Sequence, residues 1–336
     1  MHKLCYCKWL TAIVLSAFCH VSYAQRTLQP KEKRTYAVEL LKKYNPEGWK
    51  ILRQVDSLAF HHPYDQYVEG NTEFDVRNSL GTIVHEMNHG YASLLAGKLK
   101  PKDAQNYMCY YLGSDEYHLV KFTDVFPTEK MGRNIPKNLR TFRFDTYIYN
   151  PKESIALASN TLGIYGLMDE WVAYYHGTLT DVNMNCWYEE NTPGNAEDWY
   201  DYFSNVCSAI NAHQEFKFFC LSYLVYAQKY YPQDYKALMQ NHELVETFLN
   251  VNELFTQLIK KYEKTKEKIF ADLRAKGVKV VEEDEWIYLN RFGAGNYLTE
   301  YKLLGKEMQK PAYQQMLQNL KGANKLAMHG SFGRQQ

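Results

Sequence analysis

Two histidines four residues apart, His85 and His89, with Glu86 directly after the first, are the side chains of this sequence best suited to chemistry. On a helix, positions four apart lie about one turn apart on one face, so both imidazoles can turn toward a single cation. Imidazole nitrogen is a good zinc ligand, and a carboxylate beside the first histidine projects near the ion without having to bind it. From there Glu86 can take a proton from a zinc-activated water, so His-Glu-Met-Asn-His over 85–89 reads as a metal-dependent hydrolytic site with Glu86 as general base.

The surroundings fit such a helix. Thr82-Ile83-Val84 precedes the motif and Gly90-Tyr91 follows it, with no charge besides Glu86 and no proline. The stretch resembles the extended signature of the zincin metallopeptidases, which asks for Val or Thr where Thr82 stands and a hydrophobic residue where Tyr91 stands. A catalytic zinc takes three protein ligands and keeps one open position, and the third ligand separates the subclasses. The metzincin pattern would put a glycine and a histidine at Ala92 and Leu95, which excludes it. The gluzincins take a glutamate from a second helix, and the segment from Gly163 to Tyr174 resembles that helix, with Glu170 as the ligand. Thermolysin-like members carry an aspartate four residues after this glutamate to orient a histidine. Here that place is Tyr174, so either its hydroxyl or another group must hold the imidazoles.

Helix geometry supports the pairing independently. Ser159, Gly163, Gly166, Glu170, Ala173 and Gly177 recur every three or four residues, and all but Glu170 are small. Gly81, His85, His89, Ala92 and Ala96 form a matching face, so two such stripes in contact bring Glu170 to the histidines. Asp169 is the nearest rival ligand, but its side chain points about 100° away from the small face. His118, Asp145 and His176 are remoter, and His61-His62 sit beside Pro63 in a loop. Peptide hydrolysis also needs a donor for the developing oxyanion. His213 is the candidate, because it continues the Phe203, Val206, Ile210 face of a long helix; Tyr165, Tyr174 and Tyr223 compete with it.

The elements that position these residues are mainly helices. Apolar periodicity predicts them over Tyr36–Tyr44, Trp49–Phe60, Val76–Leu99, Glu153–Tyr175, Trp199–Tyr231 and Glu246–Ala275, with two modest helices at the end and a loose tail from Met328. The clustered charges of Lys260 to Lys268 read as a solvated face. Aromatic and β-branched runs at Tyr107–Leu112, Tyr117–Phe122 and Thr141–Tyr149 predict a small antiparallel sheet, with Gly113-Ser114-Asp115 as a turn. Asn183–Asn195 reads as a loop around Pro193-Gly194, and Lys279–Tyr288 as a short strand.

The first residues have the pattern of an export signal: Lys3 and Lys8, an apolar run from Leu10 to Phe18, and small residues at Ser22 and Ala24. Residues 1–24 are therefore expected to be a signal peptide, and the mature chain periplasmic or secreted. No later run is long and apolar enough to be a transmembrane segment. Lysine plus arginine (39) and aspartate plus glutamate (38) nearly balance, which gives no electrostatic reason to expect nucleic acid as a partner. Cys109, Cys186, Cys207 and Cys220 remain after the signal and read as free thiols; none has metal or redox spacing.

The expected molecule is a predominantly helical α+β protein in which the 85–89 helix packs against a glutamate-bearing helix beside a small antiparallel sheet. Residues 25–245 would form the catalytic core and 246–336 a helical C-terminal extension. The resemblance implies a zinc metallopeptidase of gluzincin type with His85, His89 and Glu170 as ligands. Its peptide or protein substrate would lie as an added strand along an edge of the region Tyr107–Tyr149. A zinc hydrolase acting on another substrate and a non-catalytic zinc-site binding protein are the alternative readings.

Overall fold

The computed structural model describes residues 27–56, 64–150, 157–283, 286–295 and 299–332. The expected signal over 1–24, His61-His62 and Pro63 lie outside the described residues. The described chain is mostly helical with two small antiparallel sheets, in agreement with the expected class.

Helices α1 (Pro30–Tyr44) and α2 (Pro46–Asp56) open the fold, each with proline in its first turn, where no intrahelical N–H is needed. Helix α3 (Glu73–Leu99) carries the 85–89 motif. Its start is fixed by reciprocal capping: Asp75 N–H donates to Thr72 Oγ1 at 3.1 Å, and Thr72 N–H donates to Asp75 Oδ2 at 2.8 Å. Strands β1 (Tyr107–Gly113) and β2 (Glu116–Lys121) pair as a hairpin. Gly113, Ser114 and Asp115 turn it with φ of +102°, +51° and +66°, a left-handed run that glycine and aspartate tolerate.

Two short helices follow, α4 (Thr128–Gly132) and α5 (Phe144–Tyr147). The expected third strand over Thr141–Tyr149 is therefore not formed. Arg143 is held instead by the buried Glu215, through its backbone N–H and its guanidinium, and this anchoring overrides the strand-like composition. The helix expected over Glu153–Tyr175 is interrupted into α6 (Ala158–Thr161) and α7 (Ile164–Asn183). Gly163 adopts φ +56° at the junction, where a side chain would strike Phe126 O and the Tyr223 hydroxyl. The expected loop over Asn183–Asn195 contains helix α8 (Asn185–Asn191), because Tyr188 is buried against Trp199 and Tyr202 before Pro193-Gly194 breaks the chain.

The long helix α9 (Ala196–Tyr230) starts at Asn195, whose side chain accepts from Glu197 and Asp198 N–H groups. Helices α10 (Pro232–Gln240) and α11 (His242–Ala275) follow. The second sheet has three strands, β3 (Val280–Glu283), β4 (Trp286–Leu289) and β5 (Phe292–Gly295), in place of one expected strand. Helices α12 (Thr299–Met308) and α13 (Pro311–Phe332) close the chain, so helix continues into the region expected to be a loose tail.

Helix α7 lies between α3 and α9 and packs extensively on both. Trp171 of α7 is fully buried, 5.3 Å from the Phe248 ring and 5.6 Å from the His213 ring. The apolar core runs from Leu28 to Leu320. Cys109, Cys186, Cys207 and Cys220 are free thiols, as expected.

Candidate metal centre

Small residues let α3 and α7 approach closely. A Cβ on Gly177 would lie 2.8 Å from Gly81 O and 3.4 Å from His85 Cβ, so only glycine permits this crossing. The contact reaches from Gly81 to His89 on one helix and from Asp181 to Glu170 on the other. Of the expected small stripe, Gly177 serves this approach, whereas Gly163 serves the turn that starts α7.

The crossing brings three ligand atoms together. His85 Nε2 and His89 Nε2 are 3.3 Å apart, and Glu170 Oε2 lies 3.3 Å from the first and 3.6 Å from the second. A tetrahedral zinc site with bonds of about 2.0–2.1 Å separates its ligand atoms by roughly 3.3–3.4 Å. The donor set also fits chemically, with two nitrogens and one carboxylate oxygen that is buried and has no hydrogen-bond partner among the described residues. This group could hold a metal ion. Burial raises the Glu170 carboxyl, but its contacts with His85 and His89 outweigh that and hold it at about 2, so the oxygen is an anionic donor.

The two imidazoles are positioned differently. Asp169 Oδ2 lies 2.7 Å from His89 Nδ1 and can accept a hydrogen bond from it, which turns Nε2 toward His85 and Glu170. Burial lowers the His89 pKa, yet the charges of Asp169 and Glu170 carry it well above the ordinary value. Asp169 thus supplies the orienting carboxylate expected from another group. The 100° offset that removes it from the ligand face suits this role, because the two ring nitrogens point in different directions. His85 is held by packing. The Tyr174 ring meets it edge-on at 4.4 Å, and His85 Nδ1 has no hydrogen-bond partner among the described residues.

Glu86 projects beside the group, with Oε1 4.0 Å from His85 Nε2 and about a third of its side chain open. Both residues line a cleft of about 260 Å³ between α3, α7, α9 and the Arg143–Tyr147 segment. In the same cleft the Tyr147 and Tyr174 hydroxyls are 3.1 Å apart. Burial, the Glu170 charge and Tyr174 keep the Tyr147 phenol protonated far above neutral pH. Arg143 lies 4.5 Å over the Tyr174 ring, and its charge is matched by Glu215 Oε2 at 2.6 Å.

His213 does not line this cleft. Its Nδ1 accepts from Trp171 Nε1 at 3.3 Å, its Nε2 faces Thr256 Oγ1 at 3.3 Å, and burial depresses it to about 3. Tyr165 and Tyr223 are likewise engaged elsewhere, with Thr123 and Phe126. His176 bonds the Tyr111 carbonyl, His118 bonds Thr247, and Asp145 is exposed. No residue of the β1–β2 hairpin lines the cleft, so the expected strand-edge subsite is not found at it.

Asp169, Tyr147, Arg143 and Asp181 are the cleft or site residues that sequence reasoning left without a role. Asp169 was legible as an acid adjacent to Glu170. Tyr147 and Arg143 come from a segment whose approach only the packing determines, and Asp181 lies on the part of α7 beyond the helix expected to end at Tyr175. Compared with protein-family models, curated proteins and solved structures, the chain gives no match.

Proposed function

We propose that the protein is an exported zinc-dependent hydrolase, and that it is a peptidase of gluzincin type. The observation that carries this reading is the convergence of His85 Nε2, His89 Nε2 and Glu170 Oε2 at 3.3–3.6 Å beside the free carboxylate of Glu86. Structural zinc sites are closed by four protein ligands, whereas a three-ligand group keeps a position for water or substrate. Glu86 has no use in a purely structural site, which favours turnover over the binding-protein reading.

Zinc supplies Lewis acidity in such a site, making a water acidic near neutral pH and polarising a carbonyl. Glu86 takes the proton of the attacking water and delivers it to the departing nitrogen. Asp169 fixes the His89 tautomer, so the ligand nitrogen always faces the centre. The Tyr147–Tyr174 hydroxyl pair donates to the carbonyl oxygen as charge develops, so Tyr174 rather than His213 takes part in this role. Because Tyr147 stays a neutral phenol, this donor is present across the working pH range.

The test is Glu86→Gln in the mature chain, with bound zinc and cleavage of a peptide library measured in parallel. Zinc content should match wild type while kcat falls by roughly 10²- to 10⁴-fold, the usual range for a general base. Unchanged cleavage in the variant would sink the assignment of Glu86.

A further inference from the structure

The cleft continues away from the metal group for more than one turn of α3, from His85 past Thr82 to Gly81 and Asn78. At that far end stands Asp181, partly open to the cavity, its carboxylate resting on the bare Cα of Gly81. A Cβ on Gly81 would lie 2.4 Å from Asp181 Oδ1, so glycine is what admits the carboxylate. No cation among the described residues pairs with Asp181. Two further polar groups face the same space. Thr178 Oγ1 is buried without a hydrogen-bond partner among the described residues, and Asn205 donates to Asn78 Oδ1 at 3.2 Å.

We propose that this cleft is a specificity pocket for a cationic side chain, lysine or arginine, flanking the scissile bond, with Asp181 as its anionic floor. The inference rests on the hydrolase reading and names the substrate class of that same site. Three features carry it. The far end of the lining is acidic, since Asp181 has no cationic partner among the described residues while Arg143 is matched by Glu215. The distance suits the ligand: four residues of α3 rise about 6 Å between the level of His85 and that of Gly81, within the reach of a four-carbon stem. The far end offers acceptors, the two Asp181 oxygens, as an ammonium or guanidinium requires. Burial raises the Asp181 carboxyl to about 7, only partly offset by the Gly81 backbone, so an entering cation supplies the missing counter-charge.

The experiment compares matched peptides that differ at one flanking position, with lysine, arginine, norleucine or glutamate there. Wild type should favour the cationic peptides over norleucine at least tenfold in kcat/KM, mainly through KM. In Asp181→Asn the preference should shrink to within threefold while zinc content and cleavage of the norleucine peptide persist. Calorimetric binding of N-acetyl-lysine amide and N-acetyl-norleucine amide to zinc-loaded Glu86→Gln reads the pocket without turnover and should show the same preference. Asp181→Ser serves as a second variant should Asp181→Asn fold poorly. Cleavage with no cationic preference would overturn the pocket and leave the hydrolase standing. Absence of peptide cleavage together with selective lysine-amide binding would overturn the peptidase reading and keep the pocket. Preference that survives both substitutions would remove Asp181 from the role.

Discussion

His85 and His89 differ from His176 and His213 in what their ring nitrogens meet, although three of the four are buried and all lie on the α3, α7 and α9 framework. In the first pair the Nε2 atoms converge on each other and on a carboxylate oxygen, an arrangement stable only when a cation or proton sits between them. In the second pair the nitrogens are matched with groups that suit a neutral imidazole: the Tyr111 carbonyl for His176, and Trp171 and Thr256 for His213. The electrostatics diverge accordingly. His89 is carried well above its ordinary pKa, while burial holds His176 at about 4 and His213 at about 3. One residue type thus joins a group that could hold a metal ion in one place and is a packing element in another, and acidic neighbours make the difference.

The strongest way to break this contrast is to remove a ring from each class. His85→Ala or His89→Ala should strip zinc and lower kcat/KM by roughly 10³-fold or more, the scale of losing a member of a catalytic unit. His176→Gln should keep full zinc occupancy, read by metal analysis of the purified chain. Equal zinc loss in all three variants would erase the distinction.

Acid should expose the core class next. The folded His176 pKa is depressed to about 4, so the unfolded chain binds a proton that the folded chain refuses. Its contribution is undiminished above the unfolded pKa of about 6.5 and is lost as pH falls from there toward 4. The full loss is about 3 kcal/mol at 1.36 kcal/mol per pKa unit. Urea unfolding in chelator at pH 7 and pH 4.5 should show a smaller decline for His176→Gln than for wild type. Identical declines would mean that His176 is not held neutral.

Asp169→Asn tests the support of the site class. Losing the acceptor for His89 Nδ1–H should weaken zinc affinity or activity about 10- to 100-fold, the usual effect of an orienting partner. A competition titration against a fluorescent chelator measures it. The smallest effect on turnover is expected for His213→Gln. Its kcat/KM should stay within threefold while stability falls by about 1–3 kcal/mol from two disturbed hydrogen bonds, one buried and one part-buried. A large drop in kcat at unchanged stability would restore the oxyanion role to His213.

The grouping of His85, His89 and Glu170 was legible in the sequence where local geometry decides it. Spacing alone puts His85 and His89 on one helix face, and the small residues Gly81 and Gly177 pointed to the helix that delivers Glu170. What escaped depends on contacts between distant segments. Arg143 is fixed by Glu215, 72 residues away, and this turned an apparent strand into a short helix that carries Tyr147 into the cleft. His213 looked suitable because it shares an apolar helix face, but that face turns toward Trp171 and Phe255. Periodicity reports that a face is buried and leaves open which neighbour buries it. The break at Gly163 was hidden for a similar reason, since its spacing matched the stripe while its backbone makes a turn.

X-ray absorption at the zinc edge, on the mature chain loaded with one equivalent of zinc, tests the central claim most directly. The account predicts one zinc per chain in a first shell of nitrogen and oxygen at about 2.0–2.1 Å, with the scattering of two imidazoles. In Glu170→Gln the affinity should fall while the two-imidazole signature persists. Sulfur in the first shell, a single imidazole, or a folded chain that binds no zinc would contradict it.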